Sequence, residues 1–452
     1  MKAADYLPSE SQAEEDQYPQ RKTAVFACII LFLGYTLAFV DRNIVALLVV
    51  PIEHDLGLTD VEMGLLQGTA FAVFYSVFGL PIAWAVDRYN RRNIVTVGVA
   101  AWSAMTCLAG LSQGFATFFL ARIGVGAGEA TILPSATSLI ADYFPPEARG
   151  RALGFFASGI YFGSAIALIG GGLILHRIEG RQIQIPFLGM EQPWQVVLIS
   201  AGALGIPLII ATLFMREPIR RHQKNRKSNN YATQVQGLLA TLKSNPKALW
   251  AHFIGFTAMA FAAYGAIGWL PTILIRQYHW TPGMVGIRLG VAALIAGPAG
   301  TYFGGFLADR LEKANRPDGK FLVGALAAIC TCIPAIILGT STHQGVTFIA
   351  AVVVIFFTSL VWGVAPAALQ EIIHGSVLGR VTAIYTALLN LIALGLAAPS
   401  IALLSEWMFG KNNGLGQAIA IIVPCATFIA LTAFLSGRRA YTNARQCLDK
   451  LQ

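Results

Sequence analysis

The chain has 452 residues, of which 56% are hydrophobic and 12% charged, and it contains 45 glycines. This composition lies outside the usual range for soluble globular domains and predicts a protein that resides in a lipid bilayer. The formal net charge of +9 does not indicate nucleic-acid binding, because the basic residues follow the pattern of membrane topology along the chain.

Apolar stretches long enough to cross about 30 Å of hydrocarbon recur along almost the whole chain. We predict twelve membrane-spanning helices, at approximately residues 23–51, 60–86, 93–111, 115–142, 151–175, 193–215, 247–275, 283–308, 320–340, 345–372, 378–405 and 416–436. The predicted fold class is therefore an all-α integral membrane protein with two pseudo-symmetric six-helix bundles. Before the sixth span, the alternation Ile183-Gln184-Ile185 beside Gly180 predicts a small hairpin on the outer face.

The polar and charged segments divide the chain. Residues 1–22 are polar and acidic at their start, without a cleavable secretory signal, and predict a disordered cytoplasmic tail. The N-terminal bundle is expected at 23–215, followed by a basic cytoplasmic linker at 216–246. The C-terminal bundle is expected at 247–436 and a cytoplasmic tail at 437–452.

The distribution of basic residues predicts the orientation in the membrane. If both termini are cytoplasmic, 25 of the 32 Lys and Arg residues lie on the cytoplasmic side. This excess satisfies the positive-inside rule. We therefore expect a multi-pass protein of the plasma membrane, or of the inner membrane in a bacterium, with both termini in the cytoplasm.

The two halves of the chain are related by an internal duplication. Matching residues recur at an offset of 222, the difference between positions 87 and 309. The matching pairs are Thr59 and Thr281, Gly64 and Gly286, Ala83 and Gly305, Asp87 and Asp309, and Arg88 and Arg310. Repeated bundles of apolar helices are typical of secondary transporters.

Four charged residues lie inside predicted spans: Asp41 and Arg42 in the first, and Arg122 and Glu129 in the fourth. Each costs roughly 2.5 to 3.5 kcal/mol at a helix centre on insertion scales, so each needs a partner or water. Neighbouring residues point about 100° apart on a helix, and residues seven apart lie roughly 10 Å apart along it. The ion pairs must therefore form between helices.

Two pairings are possible between the first and fourth helices. Asp41 can face Arg122, Arg42 can face Glu129, or the two arrangements can exchange during a functional cycle. Protonation of a carboxylate would then compete with ion-pair formation, which predicts a proton-driven switch. A static bridge that merely joins two helices is the alternative, although apolar packing would do this with less desolvation.

The second half carries no charge at mid-depth but is rich in aromatic residues. These residues are available to line one wall of a central cavity: Phe256, Phe261, Tyr264, Trp269, Phe356, Phe357 and Trp362. A cavity with an ionic wall and an aromatic wall suits a substrate with a charged head and an apolar tail. Some of these aromatic side chains will instead face lipid or neighbouring helices.

Several motifs resemble those of a known family. They are Ala83-x-x-x-Asp87-Arg88-x-x-Arg91-Arg92, its weaker counterpart Gly305 to Arg310, Arg122-x-x-x-Gly126-x-Gly128-Glu129-Ala130, Asp41-Arg42, Trp102-Ser103 and Ser138 to Asp142. The first two resemble signature loops of the major facilitator superfamily, with alanine in place of the usual first glycine. The whole set is similar to the Spinster family of lipid transporters and is densest over residues 35–170.

The resemblance implies transport of lysophospholipids or amphiphiles like sphingosine phosphate. It implies protonatable acids at Asp41 and Glu129, with Arg42 and Arg122 as their partners or as anchors for a phosphate head group. It also implies an inner gate formed by Asp87, Arg88, Arg91, Arg92, Asp309 and Arg310. In this gate Asp87 and Arg91 would brace the halves when the cavity faces outward; the alternative is that these charges simply anchor the topology.

The resulting hypothesis is a proton-coupled secondary transporter that moves an amphiphile by alternating access. Its expected partners are the substrate, protons and the bilayer, and we expect a monomer. No nucleotide-binding loop, catalytic constellation, metal site or disulfide framework is evident in the sequence, so we expect neither an enzyme nor a cofactor. The alternatives are a proton-coupled carrier of small organic anions and a non-transporting receptor or sensor on the same scaffold.

Overall fold

The computed structural model describes residues 18–178, 183–185, 189–221, 242–243, 245–373, 375–410 and 414–449. Within these residues, twelve helices are long and apolar enough to span a membrane, and each coincides with a predicted span. In chain order they are α1 (Arg21–Leu56), α2 (Asp60–Arg88), α3 (Arg91–Gly110), α4 (Phe115–Tyr143), α5 (Pro146–Ile178), α6 (Pro193–Leu213), α7 (Pro246–Tyr278), α8 (Pro282–Lys313), α9 (Gly319–Thr340), α10 (Gln344–Gln370), α11 (Val377–Phe409) and α12 (Leu415–Leu448). The all-α membrane fold is confirmed.

The helices form two halves, α1 to α6 and α7 to α12. In the first half α1 packs along α5, and α3 packs between α4 and α6. In the second half α12 packs on α7 and α9, while α10 packs on α8 and α9. Twelve crossings, an even number, place both described ends of the chain on one face of the membrane. We call this face the inner face and the opposite one the outer face.

The start of the second helix in each half shows the duplication directly. The Thr59 hydroxyl accepts a hydrogen bond from the backbone N–H of Glu62 at the start of α2. The Thr281 hydroxyl accepts the equivalent bond from the N–H of Met284 at the start of α8. A side-chain oxygen at this position satisfies an N–H group that has no partner inside the helix. The two residues paired by sequence offset therefore have the same structural role.

Two membrane helices are interrupted by a turn of π-helix. In α2 the segment Leu65–Thr69 separates Asp60–Gly64 from Ala70–Arg88. In α11 the segment Asn390–Leu394 is followed by the outer helix Gly395–Phe409. The two π-helical turns lie against each other across the interface between the halves. Such turns are rare and often occur at functional sites.

The predicted hairpin before α6 is confirmed. Strands β1 (Ile183–Ile185) and β2 (Gly189–Glu191) pair antiparallel, with Gln184 opposite Met190. The loop lies on the outer face because it joins the outer ends of α5 and α6.

The twelfth helix as a whole runs from Leu415 to Asp449, one residue past the end given above, and includes most of the segment that we expect as a C-terminal tail at 437–452. Its apolar part ends as predicted, but its polar extension remains helical because it packs against charged residues of the same half. At the other end, α1 begins at Arg21. Residues 1–17 of the expected N-terminal tail and most of the linker at 216–246 lie outside the described residues.

Candidate functional site

The four charged residues of α1 and α4 meet near the middle of the first half. The Arg42 Nε–H donates to Glu129 Oε2 at 2.7 Å and joins the two helices. The Glu129 side chain is completely buried, and that of Arg42 is 15% exposed. One of the two ion pairs expected from the sequence is therefore present.

The structure does not bring the other expected pair together. The Arg122 guanidinium donates to two backbone carbonyl groups, those of Leu66 at 3.2 Å and Asp41 at 3.3 Å. Neither carboxylate oxygen of Asp41 receives a hydrogen bond from a described residue, although the side chain is buried. The neighbouring Thr106 hydroxyl donates to the Trp102 carbonyl group. The Arg122 guanidinium is bound by the partial charges of these two carbonyl groups. The Asp41 carboxyl group is therefore available to bind a proton or another partner.

Three aromatic rings surround the Arg42 guanidinium group. Its central carbon lies 4.8 Å from the ring centroid of Phe39, 4.6 Å from that of Phe71 and 4.9 Å from that of Tyr75. Phe39 lies one helical turn before Arg42, and the other two rings come from α2. A cation over aromatic faces is stabilised by about 2 kcal/mol or more when water is excluded. This aromatic surround was not predicted from the sequence.

Several buried polar atoms in this region have no hydrogen-bonding partner among the described residues. They are both carboxylate oxygens of Asp41, Arg42 Nη2, Glu129 Oε1, Gln67 Nε2 and Ser76 Oγ. All lie on α1, α2 and α4. Buried polar groups in folded proteins nearly always have partners, so a concentration of unsatisfied donors and acceptors indicates a place where water or a ligand binds.

Four of the seven aromatic residues named for the second half fall into two pairs. Phe256 and Trp269 are buried in the packing of their own half, where the Trp269 indole N–H donates to the Ala398 carbonyl group at 3.0 Å. These two residues therefore belong to the aromatic side chains that face neighbouring helices and not the cavity. Tyr264 and Trp362 are partly exposed and form an edge-on pair with centroids 5.8 Å apart, and Tyr264 lies within electrostatic range of Arg42. Tyr264 therefore lies on the side of the second half that faces the charged wall.

Charged residues at the outer ends join the two halves. The Arg276 guanidinium of α7 forms ion pairs with Glu53 at the end of α1 and with Asp60 at the start of α2, the latter at 2.8 Å. Beside them, Glu406 of α11 accepts a hydrogen bond from the Val61 N–H at 3.2 Å. The sequence places Arg276 near the outer interface but gives no sign of its partners, which lie more than 200 positions away.

Close backbone contacts between the halves continue from the outer ends to mid-depth. The Thr69 hydroxyl of α2 donates to the Gly395 carbonyl group of α11 at 2.7 Å. A Cβ atom added at Gly286 of α8 would meet the Leu168 carbonyl oxygen of α5 at 2.2 Å. Nearer the inner face, a Cβ added at Gly79 of α2 or at Gly305 of α8 would meet nothing within 4 Å. Among the described residues, the contacts between α2 and α11 are thus concentrated in their outer parts, whereas α5 and α8 stay in contact as far as the hydroxyl groups of Tyr161 and Thr301.

The signature residues between α2 and α3 make most of their contacts within the first half. The Arg91 side chain is buried and forms ion pairs with Asp142 and, at 2.7 Å, with Glu217 after α6. It also donates to the Ser138 hydroxyl at 2.9 Å. In this conformation Arg91 therefore fastens the inner ends of α3, α4 and α6 to each other. A brace between the halves stays a prediction for the opposite conformation.

The other residues of the expected inner gate lie around this cluster or at the equivalent place in the second half. Arg88 stacks on the Trp84 ring, with 4.2 Å between its guanidinium carbon and the ring centroid. The backbone N–H of Arg92 donates to Glu217 at 3.0 Å, and the Asp87 carbonyl group accepts from Arg220. In the second half, Asp309 and Arg310 are both exposed.

Comparisons with known proteins agree with this architecture. The family model of the Major Facilitator Superfamily matches residues 31–398. Protein spinster homolog 1 of Xenopus tropicalis is 30% identical over 321 residues, which cover 68% of this chain and 58% of that protein. A probable L-galactonate transporter of Escherichia coli is 24% identical over 459 residues, covering 96% of this chain and 95% of the relative.

A solved structure shows the same fold over nearly the whole chain. It is the crystal structure of a bacterial homolog of the human lysosomal transporter Spinster, in an inward-facing and unoccupied conformation. Its TM-score is 0.78 at 24% identity, and the match covers 96% of this chain and 99% of that chain. The chain therefore belongs to the Major Facilitator Superfamily of membrane transporters, and it resembles the Spinster proteins as its motifs predict.

Proposed function

We propose that this protein is a proton-coupled transporter of an amphiphilic, lipid-like anion, such as a lysophospholipid or a sphingosine phosphate-like molecule. The observation that carries the proposal is the Arg42–Glu129 ion pair, which lies inside a ring of aromatic side chains and among unsatisfied polar atoms. This arrangement offers a positive charge to an anionic head group and apolar surface to a tail.

The head group would bind at Arg42. Its Nε–H is used by Glu129, whereas its Nη2 group is buried without an acceptor among the described residues. A phosphate oxygen is a strong acceptor for such a donor. The rings of Phe39, Phe71 and Tyr75 exclude water from the guanidinium group, which strengthens its attraction for an anion.

Protons would act on the two carboxyl groups. Protonation of Glu129 removes the charge that binds Arg42 and frees the guanidinium group for the substrate. Asp41 supplies a second buried carboxyl group beside Arg122, and the exchange of partners between the four residues would alter the packing of α1 against α4. A ligand that favours one of two arrangements shifts the population towards it.

The central site would be loaded from the inner face in the conformation described above. The outer ends are held by Arg276, Glu53 and Asp60, whereas the inner part of α11 makes few contacts with α2. Alternating access requires a second conformation in which the outer contacts break and the inner ends meet. The inner gate residues, including Asp87 and Asp309, would then approach each other.

Flux into sealed vesicles tests the proton role. With a lysophospholipid as substrate, a pH gradient should accelerate transport by the unmodified protein. Asp41→Asn and Glu129→Gln should each abolish this acceleration, because an amide cannot exchange a proton. Glu147→Gln changes an exposed carboxylate of the same half and should leave the acceleration intact. Gradient-dependent flux that persists in both central variants removes the proton role from these residues.

A carrier of small organic anions is the second candidate, and the full-length similarity to a probable L-galactonate transporter favours testing it. Such a carrier would hold a carboxylate at Arg42 and would gain nothing from a tail. Binding of a lysophospholipid, its glycerophosphate head group alone and a sugar acid should be compared by thermal stabilisation of the purified protein. Stabilisation by the lysophospholipid alone supports the proposal, whereas stabilisation by the sugar acid supports the organic-anion carrier. Binding without flux would instead point to a receptor.

A further inference from the structure

The outer contact between the halves contains more carboxylate than its arginine can neutralise. Both Glu53 and Asp60 contact the same nitrogen, Nη2 of Arg276. Their side chains are 10% and 3% exposed. Two negative charges and one positive charge are thus buried together, which leaves one uncompensated negative charge in a place with little access to water.

Because Glu53 Oε2 and Asp60 Oδ1 both contact this one nitrogen, the two carboxyl groups lie side by side. Glu53 Oε1 is buried and receives no hydrogen bond from a described residue, and Asp60 Oδ1 contacts Arg276 without the geometry of a hydrogen bond. Two ionised carboxylates at this distance repel each other, since both are acceptors and neither can donate. A single proton between them would supply the missing donor and cancel the surplus charge.

The other charged groups near this cluster do not supply the missing positive charge. On α1, His54 and Asp55 are exposed, and Asp55 accepts a hydrogen bond from the Trp194 indole at 2.9 Å. On α2, Glu62 accepts from the Thr59 N–H at 2.8 Å. On α11, Glu406 adds a further negative charge beside Val61.

We propose that Glu53 and Asp60 form a proton-binding site in the outer gate, which holds one proton while the outer ends are joined and releases it when they separate. The first turn of α2 favours negative charge at Asp60, so the proton resides on Glu53. When the halves separate, water reaches both groups and solvates two charges, and the proton returns to the outer side. The site therefore makes the gate responsive to external pH without adding a proton to the transport cycle.

The direction of the pH effect follows from the linkage between proton binding and closure of the gate. Because the closed gate binds one more proton than the open gate, acid stabilises the closed gate and alkali favours opening. Glu53→Gln reproduces the protonated side chain permanently. The gate should then stay closed at every pH, since the new amide needs no proton and Asp60 alone balances Arg276. The inference is independent of the substrate, because no substrate enters its tests, and the distance measurements are made with Asp41 and Glu129 replaced by their amides.

Infrared spectroscopy of the purified protein detects the proton directly. At neutral pH the carbonyl band of a protonated carboxylic acid should be weaker in Glu53→Gln than in the unmodified protein. Asp55→Asn, at the same end of α1 but bonded within its own half, is the matched control and should leave the band unchanged. A Glu53→Gln spectrum identical to that of the unmodified protein in this band overturns the proposal.

Distance measurements between spin labels test the consequence for the gate. Labels at His54→Cys and Met408→Cys report the separation of the outer ends of α1 and α11. The background lacks the six native cysteines and carries Asp41→Asn and Glu129→Gln, so that the central carboxyl groups do not contribute to the pH response. Raising the pH from 5 to 9 should increase the long-distance population in the parent and in Asp55→Asn. Glu53→Gln and Asp60→Asn should show the same short distance at both pH values, provided that their melting temperatures match the parent. A parental pH response retained in both variants contradicts the inference.

Discussion

The two arginines buried in the first half are stabilised in different ways. Arg42 pairs with a complete negative charge on Glu129, whereas Arg122 binds backbone carbonyl groups of α1 and α2. A carbonyl carries only a partial charge and cannot be protonated, so these two bonds of Arg122 do not change with pH. Arg42 is therefore the residue whose partner can be switched, and Arg122 holds α4 against its neighbours.

A double-mutant cycle on Arg42 and Glu129 should show strong coupling. Arg42→Ala leaves a buried carboxylate without its partner and should reduce the free energy of unfolding by about 3 kcal/mol or more. Adding Glu129→Gln to Arg42→Ala should recover part of this loss, because the stranded charge is removed. The melting temperatures of Arg42→Ala, Glu129→Gln, the double variant and the parent are compared to obtain the coupling between the two side chains. Additive losses would show that the two residues act independently.

Asp318, in the turn between α8 and α9, predicts an acid-sensitive contact. Burial raises the pKa of its carboxyl group, but hydrogen bonds from Arg438 at 2.7 Å and Arg316 at 3.3 Å outweigh burial and hold the pKa below its usual value of 3.8. A carboxyl group whose pKa is lowered on folding stabilises the protein above its unfolded-state pKa, and this stabilisation is lost as pH falls through the folded-state value.

The expected result is a difference between the parent and Asp318→Asn that depends on pH. The variant should melt at a lower temperature at pH 7, and the two melting curves should converge as the pH falls below about 4, the unfolded-state value. Asp309→Asn, an exposed carboxylate near the same inner face, serves as the control. A parent–variant difference that stays constant down to pH 3 would show that Asp318 does not act through its charge.

At the scale of helices, the π-helical turns of α2 and α11 explain how these two helices approach so closely. Each turn lies beside glycine, and a Cβ added at Gly68 would meet the Leu394 carbonyl oxygen at 2.6 Å and the Gly395 carbonyl oxygen at 3.0 Å. Both obstacles are backbone atoms, which cannot move aside like a flexible side chain. The contact is therefore a fixed point about which the inner ends of α2 and α11 can diverge.

Gly68→Ala should push these two helices apart. We expect a loss of about 1 to 3 kcal/mol in the free energy of unfolding, comparable with overpacking in a core, and a matching loss of transport. Gly79→Ala, further along the same helix, adds its methyl group where nothing lies within 4 Å. It should be neutral or slightly stabilising, because alanine favours helix more than glycine. Equal effects of the two substitutions on the melting temperature would refute the fixed-point interpretation.

Much of the element-scale structure could be predicted from the sequence. Apolar length alone locates the twelve spans, because a helix must be about 20 residues long to cross the hydrocarbon core. The offset that relates Thr59 to Thr281 correctly identifies equivalent helix starts. The π-helical turns could not be predicted, since Leu65–Thr69 has no local feature that distinguishes it from ordinary helix; the turn arises from packing against α11.

The candidate site was predictable in its residues but not in its detailed contacts. Buried charges in α1 and α4 required partners across helices, and the Arg42–Glu129 pair satisfies this requirement. The sequence does not specify how far each helix is rotated, so it does not reveal that Arg122 would bind carbonyl groups. For the same reason it does not separate Trp269, which faces its own half, from Tyr264, which faces the centre.

For the whole molecule, the duplication produces two equivalent interfaces. Gly64 of α2 approaches the backbone of Pro399 in α11, and its counterpart Gly286 of α8 approaches the backbone of Leu168 in α5. The same residue of the repeat thus permits close contact on both sides of the central space. The halves differ in chemistry rather than in geometry, because the charged residues buried at mid-depth in the described part of the chain all belong to the first half. Two halves of the same architecture therefore give the central space one charged wall and one aromatic wall.

The polar extension of α12 has a practical consequence for anyone shortening this chain. Tyr441 hydrogen-bonds to Glu371 beyond the end of α10, and Arg445 forms ion pairs with Glu312 of α8 and with Glu371. These bonds tie several helix ends of one half into a single unit. A truncation placed where hydrophobicity stops, near residue 436, would cut this unit apart, whereas one placed after Asp449 would leave it whole.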